Sequence, residues 1–549
     1  MTAFLKIKHL LNSKTSSIIS GAAIISLASV ASRVLGVIRD RVLASEFGAG
    51  SELDMYYAAF RVPDLIYNLV ILGALSAGFI PIFTSLLKKA DHEGYKENKE
   101  AWDLVNNVLN TVLILLTVGC AALLLVTPWL MKYIAPGFEG EQLKITANLT
   151  RIMFLSPLLL GISGIFSGVL QSFKRFLIFS LAPIMYNVGI ILGAIFLVDY
   201  VGVYGLAIGV ILGAFLHMMI QLPLIIKLGF RYRPVFELKN KNIRQIGRMM
   251  LPRTMGLATM QLNLIVVTVL GSSLTAGSIA VYNLANNLQS FPLGIFGISF
   301  ALAAFPAMSL AFAQRNLDEF KKTFDSTLKQ IIFFIVPFTV LFILLRIQIV
   351  RVVLGSGQFS WADTILTADA VGIFSLSLFA QALIPLIARA FYSMQNTLIP
   401  FLMSLIATLV NIILSLIFVK YWNILGLAAA FSISNVLNVV LLFVALRLKA
   451  GELGVKSIMK ALLKISIAAA MMAIVVQLSK YPMSYIVNMQ KFYGIFLQGA
   501  VSALLGVLTF ILFSFLLKSE EIYRLKNGLA RRIFKRAEVA KEPISQAGQ

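Results

Sequence analysis

Residues 17–31, SIISGAAIISLASVA, carry no charge, and they run directly into residues 32–40, SRVLGVIRD, which carry Arg33, Arg39 and Asp40. An uncharged stretch of this kind reads as the start of a helix crossing a bilayer, which needs ~20 apolar residues. The same helix continues through Gly36 to about Glu46, so its charges fall inside the span. Arg33 lies some ~24 Å along the helix axis at ~1.5 Å per residue, too deep for its side chain to reach the interface easily. Charge inside a membrane is expensive and faces a cavity or a partner. The stretch therefore predicts both a membrane fold and a polar interior.

The rest of the chain agrees. Of 549 residues, 59% are hydrophobic and only 13% charged, with a mean hydropathy of +0.88; soluble domains carry about 25% charged residues. The net charge of +23 would suggest nucleic acid in a soluble protein. Here it reads as cationic loops facing anionic lipid on the cytoplasmic side, and no basic–aromatic pattern points to a nucleic-acid partner. Cys120 stands alone in an apolar run, which excludes a disulfide framework. His9, His92 and His217 have no metal-ligand neighbour at helical spacing, so no metal is expected. The lysines and apolar run at the N-terminus imitate a signal peptide, but the helix continues past the small residues and thirteen further apolar segments follow.

Fourteen helices are expected: 17–46, 53–87, 102–131, 142–171, 175–198, 203–227, 243–271, 277–311, 321–345, 364–392, 396–419, 425–447, 458–479 and 494–517. The fold class is all-α polytopic. Lys and Arg gather in the termini and alternate loops, including the long stretch Lys227–Arg248, while the first opposing loop, FGAGSELD, carries only acids. That bias puts both termini in the cytoplasm. The basic tail 518–549 is expected to lie on the inner leaflet.

The chain also repeats itself. Leu177-Ile178 matches Leu398-Ile399, Tyr200 matches Tyr421, and Gly205-Leu206-Ala207 matches Gly426-Leu427-Ala428, all at one offset of about 220 residues. Helices one to six therefore pair with seven to twelve as parallel repeats, giving domains 1–240 and 241–455, with helices thirteen and fourteen, 456–517, as an addition. Transporters place substrates between such repeats and expose the site to each side in turn.

The internal charges concentrate on helices one, two and seven. Arg33, Gly36, Val37 and Asp40 share one stripe of helix one. Arg61 and Asp64 are expected as i, i+3 partners around Pro63; Pro252-Arg253 opens helix seven; and YNLANNLQSFP, residues 282–292, gives helix eight a polar run. Arginine in excess of acid suits an anion with multidentate oxygens, such as a diphosphate. Bracing of the helices by Arg–Asp pairs and amide hydrogen bonds is the competing reading. No P-loop, catalytic triad, paired-carboxylate cleft or HExxH motif is present, so the chain is expected to be no enzyme, to need no cofactor, and to draw on the membrane potential or an ion gradient.

The segment SRVLGVIRDRVLASEFGAGSELDMYYAAFRVPD, residues 32–64, together with FPLGIFG, residues 291–297, resembles the MurJ/MviN family, lipid II flippases of the multidrug/oligosaccharidyl-lipid/polysaccharide exporter superfamily. The resemblance runs to about Leu517. It implies two six-helix bundles around a cationic cavity, a groove on helices thirteen and fourteen for the polyprenyl tail, and lipid II as substrate. It also implies roles for Arg33, Arg39, Asp40 and Asp54. Two family arginines are absent: Tyr67 and Asn287 stand near their places, and Arg61 and Arg253 are expected to supply the charge. The expected substrate-binding set is thus Arg33, Arg39, Asp40, Asp54, Arg61, Asp64, Tyr67, Arg253 and Asn287. The expected protein is a monomeric, multi-pass flippase of the bacterial inner membrane. A flippase for another polyprenyl-diphosphate oligosaccharide, or a cation-coupled drug exporter, are the alternatives.

Overall fold

The computed structural model describes residues 18–72, 78–89 and 99–524; the basic tail beyond Arg524 lies outside the described residues. Every described element is helical. In chain order they are α1 (Ile18–Phe47), α2 (Ser51–Tyr67, followed by a π-helical turn Asn68–Leu72 and a helix Ile80–Lys89), α3 (Lys99–Ile134), α4 (Gly140–Ser172), α5 (Phe176–Val201), α6 (Tyr204–Lys227), α7 (Lys241–Ser272), α8 (Ser278–Ala313), α9 (Leu317–Leu344), a short helix Arg346–Leu354, α10 (Trp361–Ser375 with Leu378–Ser393, bent by 45°), α11 and α12 (398–422 and 424–450), α13 (Val455–Ile486) and α14 (Phe492–Leu516). Nine of the described helices are long and apolar enough to cross a membrane, ten with the bent pair. With Leu398–Ala450 broken at Asn423 (φ 48°, ψ −131°), the order is consistent with the fourteen spans expected. Leucines such as Leu125, Leu463 and Leu508 point outward and exposed, a surface that water would not tolerate over this area and lipid does.

By contact the chain divides into two units: 1–287 with 353–367 and 408–430, and 288–352 with 368–407 and 431–549. This division differs from the repeat boundary near residue 240, because α7 and the first turns of α8 pack with the first unit.

In the first unit α5 and α6 lie almost backbone to backbone. A Cβ on Gly189 would sit 2.2 Å from Gly213 Cα, and one on Gly213 would sit 2.4 Å from Tyr186 O. Small residues four apart allow such approach where lipid offers no hydrophobic drive to associate. Gly213→Leu is therefore expected to lower the melting temperature of the protein in detergent by several degrees, whereas Gly119→Leu, which meets nothing within 4 Å, leaves it unchanged; thermal unfolding checks both. The unit's core is aromatic, with Phe83, Trp102 and Phe173 in mutual ring contact and Phe230 against Trp102. The long basic loop after α6 is held down by buried asparagines of α3. Asn106 donates to Arg231 O, Asn107 to Glu237 O, and Asn110 to the carbonyls of Arg233 and Val235. Asn106 and Asn107 also accept the backbone N–H groups of Arg233 and Glu237. These pairs satisfy the buried amides of Asn106, Asn107 and Asn110 and pin the exposed loop to α3.

In the second unit, α9 packs on α13 and α8, and α13 on α14. Lys329, buried, donates to Asp325 at 2.6 Å. Gln289 and Gln381 exchange amide hydrogen bonds at 3.2 and 3.1 Å, and Pro292 leads into a π-helical turn, Leu293–Ile298.

Candidate functional site

The charge cluster of α1 is a four-residue network in the first unit. Arg39 donates from Nε (3.0 Å) and Nη2 (2.7 Å) to Asp40 Oδ1. Its Nη1 donates to Asn187 Oδ1 on α5 at 3.1 Å. Asn287 Nδ2, from α8, donates to Asp40 Oδ2 at 2.9 Å. Asp40 is 4% exposed; a carboxylate so placed requires this pairing. Asn187 was not among the expected residues. It is a lone amide in an apolar helix, four residues after Pro183, to whose carbonyl its Nδ2 also donates at 3.1 Å.

The expected Arg61–Asp64 pair is not formed by hydrogen bonds; each residue turns to a different neighbour. Arg61 donates from Nε to Thr268 Oγ1 on α7 and from Nη2 to Asn283 Oδ1 on α8, both at 2.8 Å. Asp64 Oδ2 accepts from Gln261 Nε2 on α7 at 3.2 Å. The reason is supply: α7 and α8 bring polar side chains against α2, and each finds better geometry across the interface than along its own helix. Tyr67 lines a cavity beside Asp64. Arg33 sits half-buried on α1, about two turns before Arg39. Arg253 falls on α7, but its side chain lies outside the described residues.

Asp54 occupies a third place. It is 2% exposed and accepts the backbone N–H of Gly277 at Oδ2 (2.6 Å) and of Ala280 at Oδ1 (2.7 Å). It therefore caps the start of α8 from α2, where the helix presents unpaired N–H groups and the positive end of its dipole. The chain around it is tightly apposed. Gln358 N donates to Ser45 O at 2.8 Å, Arg41 Nη1 to Val353 O at 3.1 Å, and Asp363 accepts from Ser360 N at 2.9 Å. A Cβ on Gly277 (φ +90°) would lie 1.7 Å from Ala49 O; only glycine permits both that backbone angle and that approach. The ends of α1 and α2, the α7–α8 turn and the 353–363 loop thus close on one another.

The arrangement offers two guanidinium groups inside the span, at Arg39 and Arg61, held by amides, a hydroxyl and one carboxylate. Among the described residues no group of three or more His, Cys, Asp or Glu side chains gathers as a metal would require. The chemistry on offer is the binding of an anion.

Comparison with known proteins shows what the chain as a whole is similar to. The family model "Lipid II flippase MurJ" matches residues 43–498; the match begins past Arg39 and Asp40, so the reading of those two rests on their geometry. A Vibrio cholerae protein described as "Probable lipid II flippase MurJ" is 30% identical over 437 residues, 79% of this chain and 83% of its own. The lipid II flippase MurJ of Burkholderia cenocepacia is 28% identical over 425 residues, 76% of this chain and 81% of its own. Among solved structures, a lipid II flippase MurJ in an inward closed conformation superposes with a TM-score of 0.74 at 24% identity, covering 90% of this chain and 98% of that one. An inward-facing MATE-family multidrug transporter of the MOP superfamily gives 0.64 at 17% identity, over 78% and 98%.

Proposed function

The chain belongs to the MurJ family of lipid II flippases, and on that premise we propose that it carries lipid II from the inner to the outer leaflet of the bacterial cytoplasmic membrane by alternating access. It is a multi-pass membrane transporter and not an enzyme. The observation that carries the substrate reading is the state of Arg61: its guanidinium is held by Thr268 and Asn283, which are neutral. Such partners orient the fork without cancelling its charge, and a fork so prepared suits the oxygens of a diphosphate. Arg39, whose charge is partly balanced by Asp40, is the second contact. In this reading the repeats 1–240 and 241–455 are the moving halves, 456–517 hold the polyprenyl tail, and both termini are cytoplasmic. The Asp54 closure then lies on the outer face. The protein works as a monomer, and the membrane potential drives the doubly charged headgroup outward, at roughly 4–5 kcal/mol per 100 mV for two charges.

The test is replacement. In cells whose own lipid II flippase is shut off, the chain is expected to restore lipid II accessibility to an externally added probe, and Arg61→Ala to reduce it tenfold or more. Failure of the wild-type chain while it is present in the membrane would overturn the lipid II reading in favour of another polyprenyl-diphosphate saccharide, whose anion the same arginines would engage.

A further inference from the structure

A secondary transporter that couples to an ion needs somewhere to hold it. Asp40 is committed to Arg39 and Asn287, and Asp54 to the backbone of α8. Asp64 differs. No ion pair engages it among the described residues, and its carboxylate receives the neutral amide of Gln261.

Asp64 forms one wall of a partly open cavity of about 250 Å³ lined by α2, α4, α5 and α6 within the first unit. Tyr67, Ser156, Tyr186 and His217 share the lining. At ~30 Å³ per molecule the space holds several waters, and its polar lining can bind them. On the lining of the same cavity, the imidazole of His217 is fixed in place. Its Nδ1 lies 2.6 Å from Ser163 Oγ, that hydroxyl accepts from Gln221 Nε2 at 2.6 Å, and the ring meets Tyr186 edge-on at 6.5 Å. With Nδ1 occupied, Nε2 is the nitrogen left to exchange a proton with the cavity.

We infer that this cavity is a proton-binding site, with Asp64 as the acceptor and His217 as the group that exchanges the proton with cavity water. This rests on the transporter reading above and adds its coupling ion. Binding forms one O–H bond on Asp64 and removes one negative charge. The contact with Gln261 then ceases to be charge-assisted and weakens. Asp64 belongs to the first repeat and Gln261 to the second, so the proton biases a contact that alternating access must break and remake. The charged and titratable groups facing the pair are Arg61 and Tyr67 from α2, Tyr186 from α5, and, through Tyr186, Tyr56 from α2 and Arg39 from α1; α4 contributes the neutral Ser156 and Ser163, and α7 the neutral Gln261.

Two measurements on the full chain in lipid test this. The first is an infrared difference spectrum between alkaline and acid conditions without substrate. It is expected to show a carboxylic-acid carbonyl band that Asp64→Asn removes and His217→Gln shifts. The second is flipping in vesicles with the potential clamped and a pH gradient imposed. The wild type is expected to respond several-fold to the gradient and His217→Gln not at all. A band that survives Asp64→Asn overturns the site, whether or not the vesicles flip lipid II. A gradient response equal in wild type and His217→Gln overturns the coupling while leaving the flippase reading intact. Failure of flipping with the band behaving as stated overturns the lipid II reading and leaves the proton site.

Discussion

Arg39→Ala is expected to abolish flipping and to reduce the amount of folded protein, and adding Asp40→Asn is expected to restore the second but not the first. In the wild type, Arg39 and Asn287 together satisfy a carboxylate that is 4% exposed. Alanine at 39 leaves that carboxylate with one amide. Breaking a buried pair from one side costs about 3–5 kcal/mol, because an uncompensated charge stays behind. Asparagine at 40 removes the charge, keeps the side-chain shape, and still accepts from Asn287. If Arg39 serves only to brace Asp40, the double variant recovers both protein level and transport. If it also meets the substrate's diphosphate, transport stays down. Losing one partner of a desolvated charge pair is worth about 2–5 kcal/mol, or a fall of roughly thirtyfold or more at tenfold per 1.4 kcal/mol. Protein level by immunoblot and lipid II accessibility in the replacement strain separate the two.

The parts of this site that the sequence announced are those where polarity contradicts its surroundings. Arg33, Arg39 and Asp40 end a run without charge, and the amides from Asn283 to Gln289 interrupt an apolar helix; both depart from what a bilayer permits. The expectation of parallel repeats came from the Gly-Leu-Ala and Tyr landmarks, which keep one offset. Partner choice was not legible. Arg61 and Asp64 have the spacing of a helical pair, but α7 offers Thr268 and Gln261 at 2.8 and 3.2 Å, and tertiary packing overrides the local pairing. Asn187 gave no pattern to read, since one amide among apolar residues marks a partner without saying which. The break at Asn423 falls in the gap expected between helices 396–419 and 425–447, whereas the short helix Arg346–Leu354 escaped for a related reason: it depends on how neighbouring segments pack. His217 was set aside as a metal ligand by spacing alone, and its place on a cavity wall is a property of four helices meeting.

Asp54→Ala is expected to unlock the closure that Asp54 makes with the start of α8, which the proposed topology puts on the outer face. Its carboxylate takes two N–H groups at the start of α8, at 2.6 and 2.7 Å. Alanine leaves both donors without that acceptor inside a packed interface, at about 1–3 kcal/mol for each buried unsatisfied group, and removes an anion from the helix's positive end. The closed arrangement bears that cost alone, because in an open one water can reach the same N–H groups. The balance between closed and open should therefore shift by about 2–6 kcal/mol, or roughly thirtyfold or more. The readout is a cysteine placed at Ser278, which is 1% exposed, in a Cys120→Ser background, treated from outside with a membrane-impermeant thiol reagent. Labelling is expected to rise by that factor in Asp54→Ala. Asp54→Asn keeps an acceptor oxygen for one N–H and should fall between the two. Transport falls in both variants, since a gate that stays open on one side cannot load from the other. Equal labelling in wild type and Asp54→Ala would mean that the interlocked backbone of Gly277 and Ala49, rather than the carboxylate, holds this face shut, and Gly277→Ala would then be the substitution that opens it.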